Sequence, residues 1–143
     1  MELKESMIVC GKDWLNFLKT YKTLSGILEG MLHSGLAANQ VEARNALNVY
    51  IPKEKYFQDK IIEYLKGLYH CAAWKAQSGI FSTGGIPDVC CVYKGRFYGF
   101  EVKRPFIGVI SPLQTEMAEK INNAGGKVEF VSWVDDVKKA LED

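Results

Sequence analysis

The sequence lacks the features that mark membrane, secreted and zinc-binding proteins. No stretch approaches the roughly 20 apolar residues that a membrane-spanning helix needs, and the early acids Glu2 and Glu5 precede no apolar signal core. The four cysteines form no CxxC pair and no Cys/His cluster, so we expect buried, reduced thiols rather than disulfides or a zinc site. These absences predict a cytoplasmic protein with no membrane partner.

An excess of charge of one sign is also missing. The chain has 18 Lys and Arg against 17 Asp and Glu, which gives a formal net charge of +1. Nothing in this balance indicates a polyanionic partner, so nucleic-acid binding would have to come from local charge or from a metal. With 143 residues, 48% of them hydrophobic, the chain is large enough for one domain with a real core.

The first 52 residues are predicted to form a helical extension. Apolar residues recur there at spacings of three and four, with Gly26 and Gly30 as expected interruptions, and Asn39 and Glu42 resemble a capping pair ahead of another helix. Pro52 ends the pattern. An apolar stripe this large favours packing on the core or on a dimer partner; it consists of Trp14, Phe17, Leu18, Tyr21, Leu24 and Leu28.

Residues 53–143 show an α-β-β-β-α-β order of elements, which predicts an α/β sheet flanked by helices. Lys94 and Gly95 fit a tight hairpin turn between two strands, and Ser111-Pro112 opens a helix that Gly125-Gly126 closes. The expected elements are a helix over 54–68, strands over 71–77, 86–93, 96–103 and 127–131, and helices from 111 and over 133–141.

The hairpin turn carries the functional hypothesis. If Lys94 and Gly95 are its two turn residues, outward counting sets Asp88 directly opposite Glu101, whereas a three-residue loop would shift the pairing and remove the opposition. Opposed Cβ atoms lie roughly 4.5–5.5 Å apart, and two like charges there are destabilising unless a cation compensates them. Mg²⁺ prefers oxygen ligands, so both carboxylates, the backbone carbonyl of Val102 and water would suit it.

A lysine and a second acid extend this candidate site. Lys103 lies two residues past Glu101 and therefore on the same sheet face. An acid pair, a metal and a lysine suit phosphodiester hydrolysis, in which Lys103 could orient or deprotonate the attacking water or stabilise the transition state. Glu54 falls within the apolar arc of its helix, which favours a role at the site; alternatively, it only complements the helix N-terminus.

Together these residues resemble the VRR-NUC family of the PD-(D/E)XK nuclease superfamily over about residues 53–132. The resemblance implies a restriction-endonuclease-like αβββαβ core with a central mixed sheet, dependence on Mg²⁺ or Mn²⁺, and cleavage of structured DNA by Holliday-junction-resolvase-like dimers. It also implies that Asp88, Glu101 and the helix acid Glu54 bind metal and that Lys103 is catalytic, with Gln114 beside them. The matching segments are Glu54…Gln58, Gly85-Ile86-Pro87-Asp88, Glu101-Val102-Lys103 and Ser111-Pro112-Leu113-Gln114.

Simpler structural roles compete with several of these assignments. Ser111 and Gln114 also form a capping box, which is compatible with a site role for Gln114. Lys75, Arg96 and Arg104 could form a DNA-binding rim, although strand-edge cations are often only solvated. The turn at 82–85 fits a connector better than a phosphate cradle. Core positions are expected for Trp14, Trp74 and Trp133.

The expected function is therefore that of a metal-dependent nuclease acting on branched or flapped DNA, working as a homodimer. A non-catalytic nucleic-acid-binding or interaction module on the same fold is the alternative, because a fold does not determine function. A metal-dependent enzyme acting on another phosphate ester would share the same site chemistry.

Overall fold

The structure, a computed structural model, describes residues 12–77 and 84–143. These residues form two compact units, one of residues 12–51 with 105–107 and one of residues 52–104 with 108–143. The division falls beside the predicted boundary between residues 52 and 53. In chain order the elements are α1 Lys12–Thr20, α2 Leu24–His33, α3 Gln40–Tyr50, α4 Glu54–Lys66, β1 Cys71–Lys75, β2 Val89–Tyr93, β3 Arg96–Val102, α5 Pro112–Asn123, β4 Lys127–Val131 and α6 Val134–Glu142.

In the first unit, side-chain caps determine where two of the helices begin. The Thr23 hydroxyl accepts a hydrogen bond of 3.0 Å from the Gly26 N–H and starts α2. The predicted interruption at Gly26 and Gly30 was wrong, because both glycines lie inside α2, where Gly30 leaves room for Tyr21. A Cβ at Gly30 would lie 2.1 Å from the Tyr21 hydroxyl oxygen. The predicted cap of α3 is confirmed, since Asn39 Oδ1 accepts from the Glu42 N–H at 2.9 Å.

The apolar stripe of the first unit is largely buried in the single chain. Trp14, Leu18 and Leu28 are buried, and Phe17, Tyr21 and Leu24 are partly buried. The Trp14 Nε1–H donates to the Tyr50 carbonyl at 3.0 Å, and the Trp14 and Phe17 rings stack with centroids 5.9 Å apart. This burial corrects the expectation of a large exposed patch, and with it the reason for placing a dimer interface there.

The second unit confirms the predicted αβββαβ order, followed by α6. Its four-stranded sheet has the order β1-β2-β3-β4, in which β2 is antiparallel to both β1 and β3, and β4 is parallel to β3. The parallel pairing requires a crossover, which α5 supplies. Helix α4 contributes Phe57, Ile61 and Leu65 to the core, and the Phe57 ring meets that of Trp133 edge-on at 5.3 Å. The fold is therefore a mixed sheet flanked by helices.

The β2–β3 hairpin has the predicted two-residue turn. Lys94 and Gly95 adopt φ values of 50° and 83°, as a type I′ turn requires at both central positions. Tyr93 pairs with Arg96, and the ladder continues to Val89 opposite Phe100. One further step sets residue 88 opposite residue 101, so the predicted register is confirmed.

The tryptophans and cysteines differ in burial more than expected. Trp14 is core, as predicted, and Trp133 is partly buried, but Trp74 is 43% exposed, so its predicted core position was wrong. Its strand β1 is at the edge of the described sheet, and the residues of β1 that face away from α4 are exposed. Cys90 and Cys91 are buried free thiols and Cys71 is a partly buried one, whereas Cys10 lies outside the described residues. Within the described ranges, no helix is long and apolar enough to span a membrane.

Candidate active site

Two carboxylates face each other at the open end of the β2–β3 hairpin. Glu101 is only 2% exposed and is the one charged side chain that is buried among the residues described. Asp88 Oδ2 accepts a hydrogen bond of 2.9 Å from the Val102 N–H, and the Asp88 carbonyl accepts another of 2.9 Å from the Ala76 N–H. Asp88 is therefore held by the strands on both sides of it.

Removal from water makes this pair electrostatically unfavourable. Burial raises the pKa of Glu101 to about 8, and the hydrogen bond to the Asp88 carboxyl and its negative charge contribute to the rise, whereas Lys103 opposes it. Without a cation, this environment therefore favours the protonated form of Glu101. The two carboxylates are hard oxygen donors, and a nearby cation would compensate their mutual repulsion. Both properties fit Mg²⁺ or Mn²⁺.

Gln114 has both roles that its sequence context offers. Its Oε1 accepts from the Ser111 N–H at 2.9 Å, and the Ser111 hydroxyl accepts from the Gln114 N–H at 3.3 Å, which completes the capping box. Because the Ser111 N–H requires the amide oxygen, the amide nitrogen points the other way and donates to Glu101 Oε1 at 2.8 Å. The start of α5 thereby orients one carboxylate of the pair.

Glu54 lies within electrostatic reach of the acid pair. Burial raises its pKa and the charge of Asp88 raises it further, whereas Lys103 and Arg104 lower it. In the described part of the chain, however, no three His, Cys, Asp or Glu side chains are close enough together to hold a metal ion. Direct ligation by Glu54 together with both carboxylates is therefore not built into this arrangement of the described residues.

Lys103 follows Glu101 by two residues and is partly buried. The backbone turns after Lys103, where the Gly108 N–H donates to the Arg104 carbonyl at 3.0 Å. This turn brings Gly108 so close to Lys103 that a Cβ at Gly108 would lie 2.6 Å from the Lys103 Cβ. Only glycine fits at position 108 without displacing the lysine. Val102, whose carbonyl is the predicted third oxygen donor, is the residue between Glu101 and Lys103 in the chain.

The acid pair lines a cavity of about 380 Å³. Its other polar walls include Lys75, Gln58 and Gln114, and Ile86 and Leu113 provide apolar surface. Gln58, one turn after Glu54, had a weaker sequence signal than Glu54 but is the residue of α4 that lines the cavity. At the entry to the strand, Gly85 adopts a φ of 80°, and a Cβ there would lie 2.3 Å from the Leu113 carbonyl oxygen. The connector role predicted for this turn therefore suits Gly85, while residues 82 and 83 lie outside the described ranges.

The three predicted DNA-binding cations are in different places. Lys75 lines the cavity and forms an ion pair with Asp59 of α4. Arg104 donates from Nε to the Pro52 carbonyl at 2.9 Å. Arg96 begins β3 at the hairpin turn, five residues from Glu101 and on the order of 17 Å along the strand, so it does not border the acid pair.

Comparison with known proteins supports the fold. No family model and no curated protein matches the chain. A solved structure described as a VRR_NUC domain aligns with 62% of this chain and 94% of that chain, at 24% sequence identity and a TM-score of 0.51. The four strands and their flanking helices agree with this likeness. The chain therefore has the fold of a VRR_NUC domain, as the resemblance of its sequence segments predicted.

Proposed function

We propose that the protein is a Mg²⁺- or Mn²⁺-dependent nuclease that hydrolyses phosphodiester bonds in DNA. The observation that carries this proposal is the buried Glu101 carboxylate opposite Asp88, with a pKa raised to about 8. A fold gains nothing from burying Glu101 opposite a second acid, since like charges at close range are destabilising and a buried charge loses its contact with water. A divalent cation between them would compensate the charge, and the VRR_NUC fold makes a nuclease the natural reading of such a site.

In this proposal Asp88, Glu101 and the Val102 carbonyl hold the cation. When bound, the ion supplies an acidified water and neutralises charge on the phosphoryl oxygens. Gln114 keeps the Glu101 carboxylate oriented through its amide hydrogen bond. Glu54 accepts hydrogen bonds from water at the edge of the site instead of binding the ion directly.

Lys103 is the proposed catalytic lysine. Strand alternation places it on the same sheet face as Glu101, and its positive charge opposes the rise in the pKa of both Glu101 and Glu54. An ammonium group at this position orients the attacking water or stabilises the negative charge that develops on the phosphate. Lys75 and Arg104 are the proposed contacts to neighbouring phosphates.

Branched DNA and a homodimer complete the proposal. One site in each chain cuts one strand, so symmetric cleavage of a junction calls for two chains. Because the apolar stripe around Trp14 is buried in the single chain, exposed apolar surface no longer indicates that the first unit is the dimer interface. A cytoplasmic location is in keeping with the free thiols of Cys90 and Cys91.

A cleavage panel tests the proposed function. Linear, nicked, flapped and four-way-junction DNA are incubated with Mg²⁺, Mn²⁺ or EDTA, beside the Glu101→Gln and Arg96→Ala variants. We expect cleavage only with the metals, lost in Glu101→Gln and kept in Arg96→Ala. Cleavage in EDTA by metal-free protein would exclude the metal mechanism. Inactivity on every substrate would favour the non-catalytic module. Cleavage of a generic phosphate ester but of no DNA would favour a metal-dependent enzyme that acts on another phosphate ester.

A further inference from the structure

We propose that Trp74 is a stacking platform for an unpaired nucleobase, so that the nuclease takes DNA with unpaired nucleotides beside the phosphate it cuts. This inference rests on the proposed function and narrows its substrate class. It starts from the exposed indole on β1, which the fold of the second unit leaves without an evident packing role.

Sheet geometry places Trp74 near the acid pair. Trp74 is paired with Cys90, and two residues on, the Ala76 N–H donates to the Asp88 carbonyl at 2.9 Å. Because side chains alternate across a strand, Trp74 shares a sheet face with Ala76, Cys90 and Asp88, and Glu101 lies opposite Asp88. Two residues along a strand span about 7 Å. The indole is therefore one row of side chains away from the carboxylates.

The indole lies on an open, apolar part of that face. Trp74 is 43% exposed, and Ala72 and Val92 on the same face are exposed as well, whereas Cys90 directly opposite Trp74 is buried. The other face of β1 is the one that packs against α4. An indole is among the largest apolar side chains, and leaving it uncovered at a strand position forgoes its burial energy. A ligand with a flat aromatic face would recover that energy.

The surroundings favour a base over further phosphates. The cavity that the acid pair lines has the exposed side chains of Ile86 and Leu113 in its wall, and Trp74 is not among its lining residues but lies on the next row of the same sheet face. In such a setting the backbone phosphate binds at the acid pair, and the adjacent apolar surface meets the bases. Bases within a continuous duplex are already stacked on each other, so a platform of this kind selects nucleotides that are unpaired.

The test separates binding from cleavage. Trp74→Leu and Trp74→Phe are compared with wild type for affinity to single-stranded and blunt duplex oligonucleotides, with Ca²⁺ in place of Mg²⁺ to prevent turnover. Tyr69→Leu is the matched control, because Tyr69 is 89% exposed. Tyr69 lies just before β1, beyond the end of that strand that is farther from the acid pair. We expect Trp74→Leu to weaken single-strand binding by about 5- to 150-fold and duplex binding little, Trp74→Phe to retain most of the affinity, and Tyr69→Leu to change neither.

Cleavage kinetics provide a second readout. On a flapped substrate with Mg²⁺, Trp74→Leu should raise KM while kcat changes less, and wild-type tryptophan fluorescence should be quenched by single-stranded DNA. Equal binding of both oligonucleotides by Trp74→Leu and wild type overturns the inference, whether or not the enzyme cleaves. So does an equal loss in Trp74→Leu and Trp74→Phe. If light scattering shows that Trp74→Leu converts a dimer to a monomer, the surface contacts a second copy and the inference is wrong.

Discussion

The two ends of the β2–β3 hairpin differ in the sign and the exposure of their charged side chains. At the turn end, Lys94 and Arg96 are exposed and lie over the rings of Tyr93 and Tyr98, at 5.2 and 5.6 Å from the ring centroids. At the open end, the buried Glu101 carboxyl group faces that of Asp88, which is partly buried. Exposed charges contribute little to stability, whereas a buried pair of like charges opposes folding. The turn end thus serves the fold, whereas the open end opposes it and is where we propose that a cation binds.

The largest expected difference between the two ends is in catalysis. Asp88→Asn and Glu101→Gln should each lower kcat on the order of a thousandfold, because each removes a charge from the cation site. Arg96→Ala, at the turn end of the same strand pair, should leave kcat within about twofold. Single-turnover cleavage with Mg²⁺ measures all three. Comparable losses at both ends would mean that the hairpin matters only as a scaffold.

Lys103→Ala should separate turnover from metal binding. The lysine is not a metal ligand, so calorimetry should give a Mn²⁺ affinity near that of wild type, with kcat reduced on the order of a hundredfold. Lys103→Arg is the matched variant, since it keeps the charge but changes its position. A wild-type rate for Lys103→Ala would make Lys103 an ordinary strand lysine.

The pH dependence of stability should reveal the raised pKa of Glu101 at the open end of the hairpin. The pKa of Glu101 rises from an ordinary value of 4.5 to about 8 on folding, so between these values the folded chain keeps a proton that the unfolded chain loses. Metal-free protein should therefore lose stability as pH rises from about 5 to 8. Its Tm should fall by several degrees, and saturating Mn²⁺ should reverse the fall. Glu101→Gln should flatten the profile, and an unchanged wild-type profile would contradict the raised pKa.

Changes at the turn end should have the smallest effects, confined to stability. Gly95→Ala introduces a Cβ at a φ of 83° and should destabilise the fold by about 1 kcal/mol, whereas Lys94→Asn suits a φ of 50° and should stabilise it by a few tenths of a kcal/mol. Urea unfolding measures both changes. Cleavage rates should stay at the wild-type level; a loss of activity in Lys94→Asn would place a functional cation at the turn.

What could be predicted from the sequence was set by local chemistry. The register of the acid pair followed from two turn residues, and the capping role of Gln114 followed from a four-residue capping box, whereas its place beside the acids was implied by the family resemblance. Other features depend on which surfaces meet in three dimensions. The ion pair of Lys75 with Asp59 joins a strand to a helix, and the exposure of Trp74 depends on which face of β1 the helix covers. Periodicity alone carries neither kind of information.

The division between α1 and α2 was missed for a local reason. Thr23 caps α2 without an acid or glutamine three residues later, so the usual two-part capping signal is absent, and the neighbouring glycines were the more obvious candidates for a break. In the structure, those glycines accommodate the Tyr21 ring. A glycine in a helix can therefore mark close approach of a neighbouring side chain instead of a helix end.

The amide of Gln114 connects the first turn of α5 to the chemistry of the site. One side of the group closes the helix start and the other restrains the Glu101 carboxylate, so fraying of that turn releases the carboxylate at the same moment. Helix ends open more readily than sheet cores. The proposed nuclease would then lose activity below its melting temperature, at the temperature where this helical turn opens while the sheet is still intact.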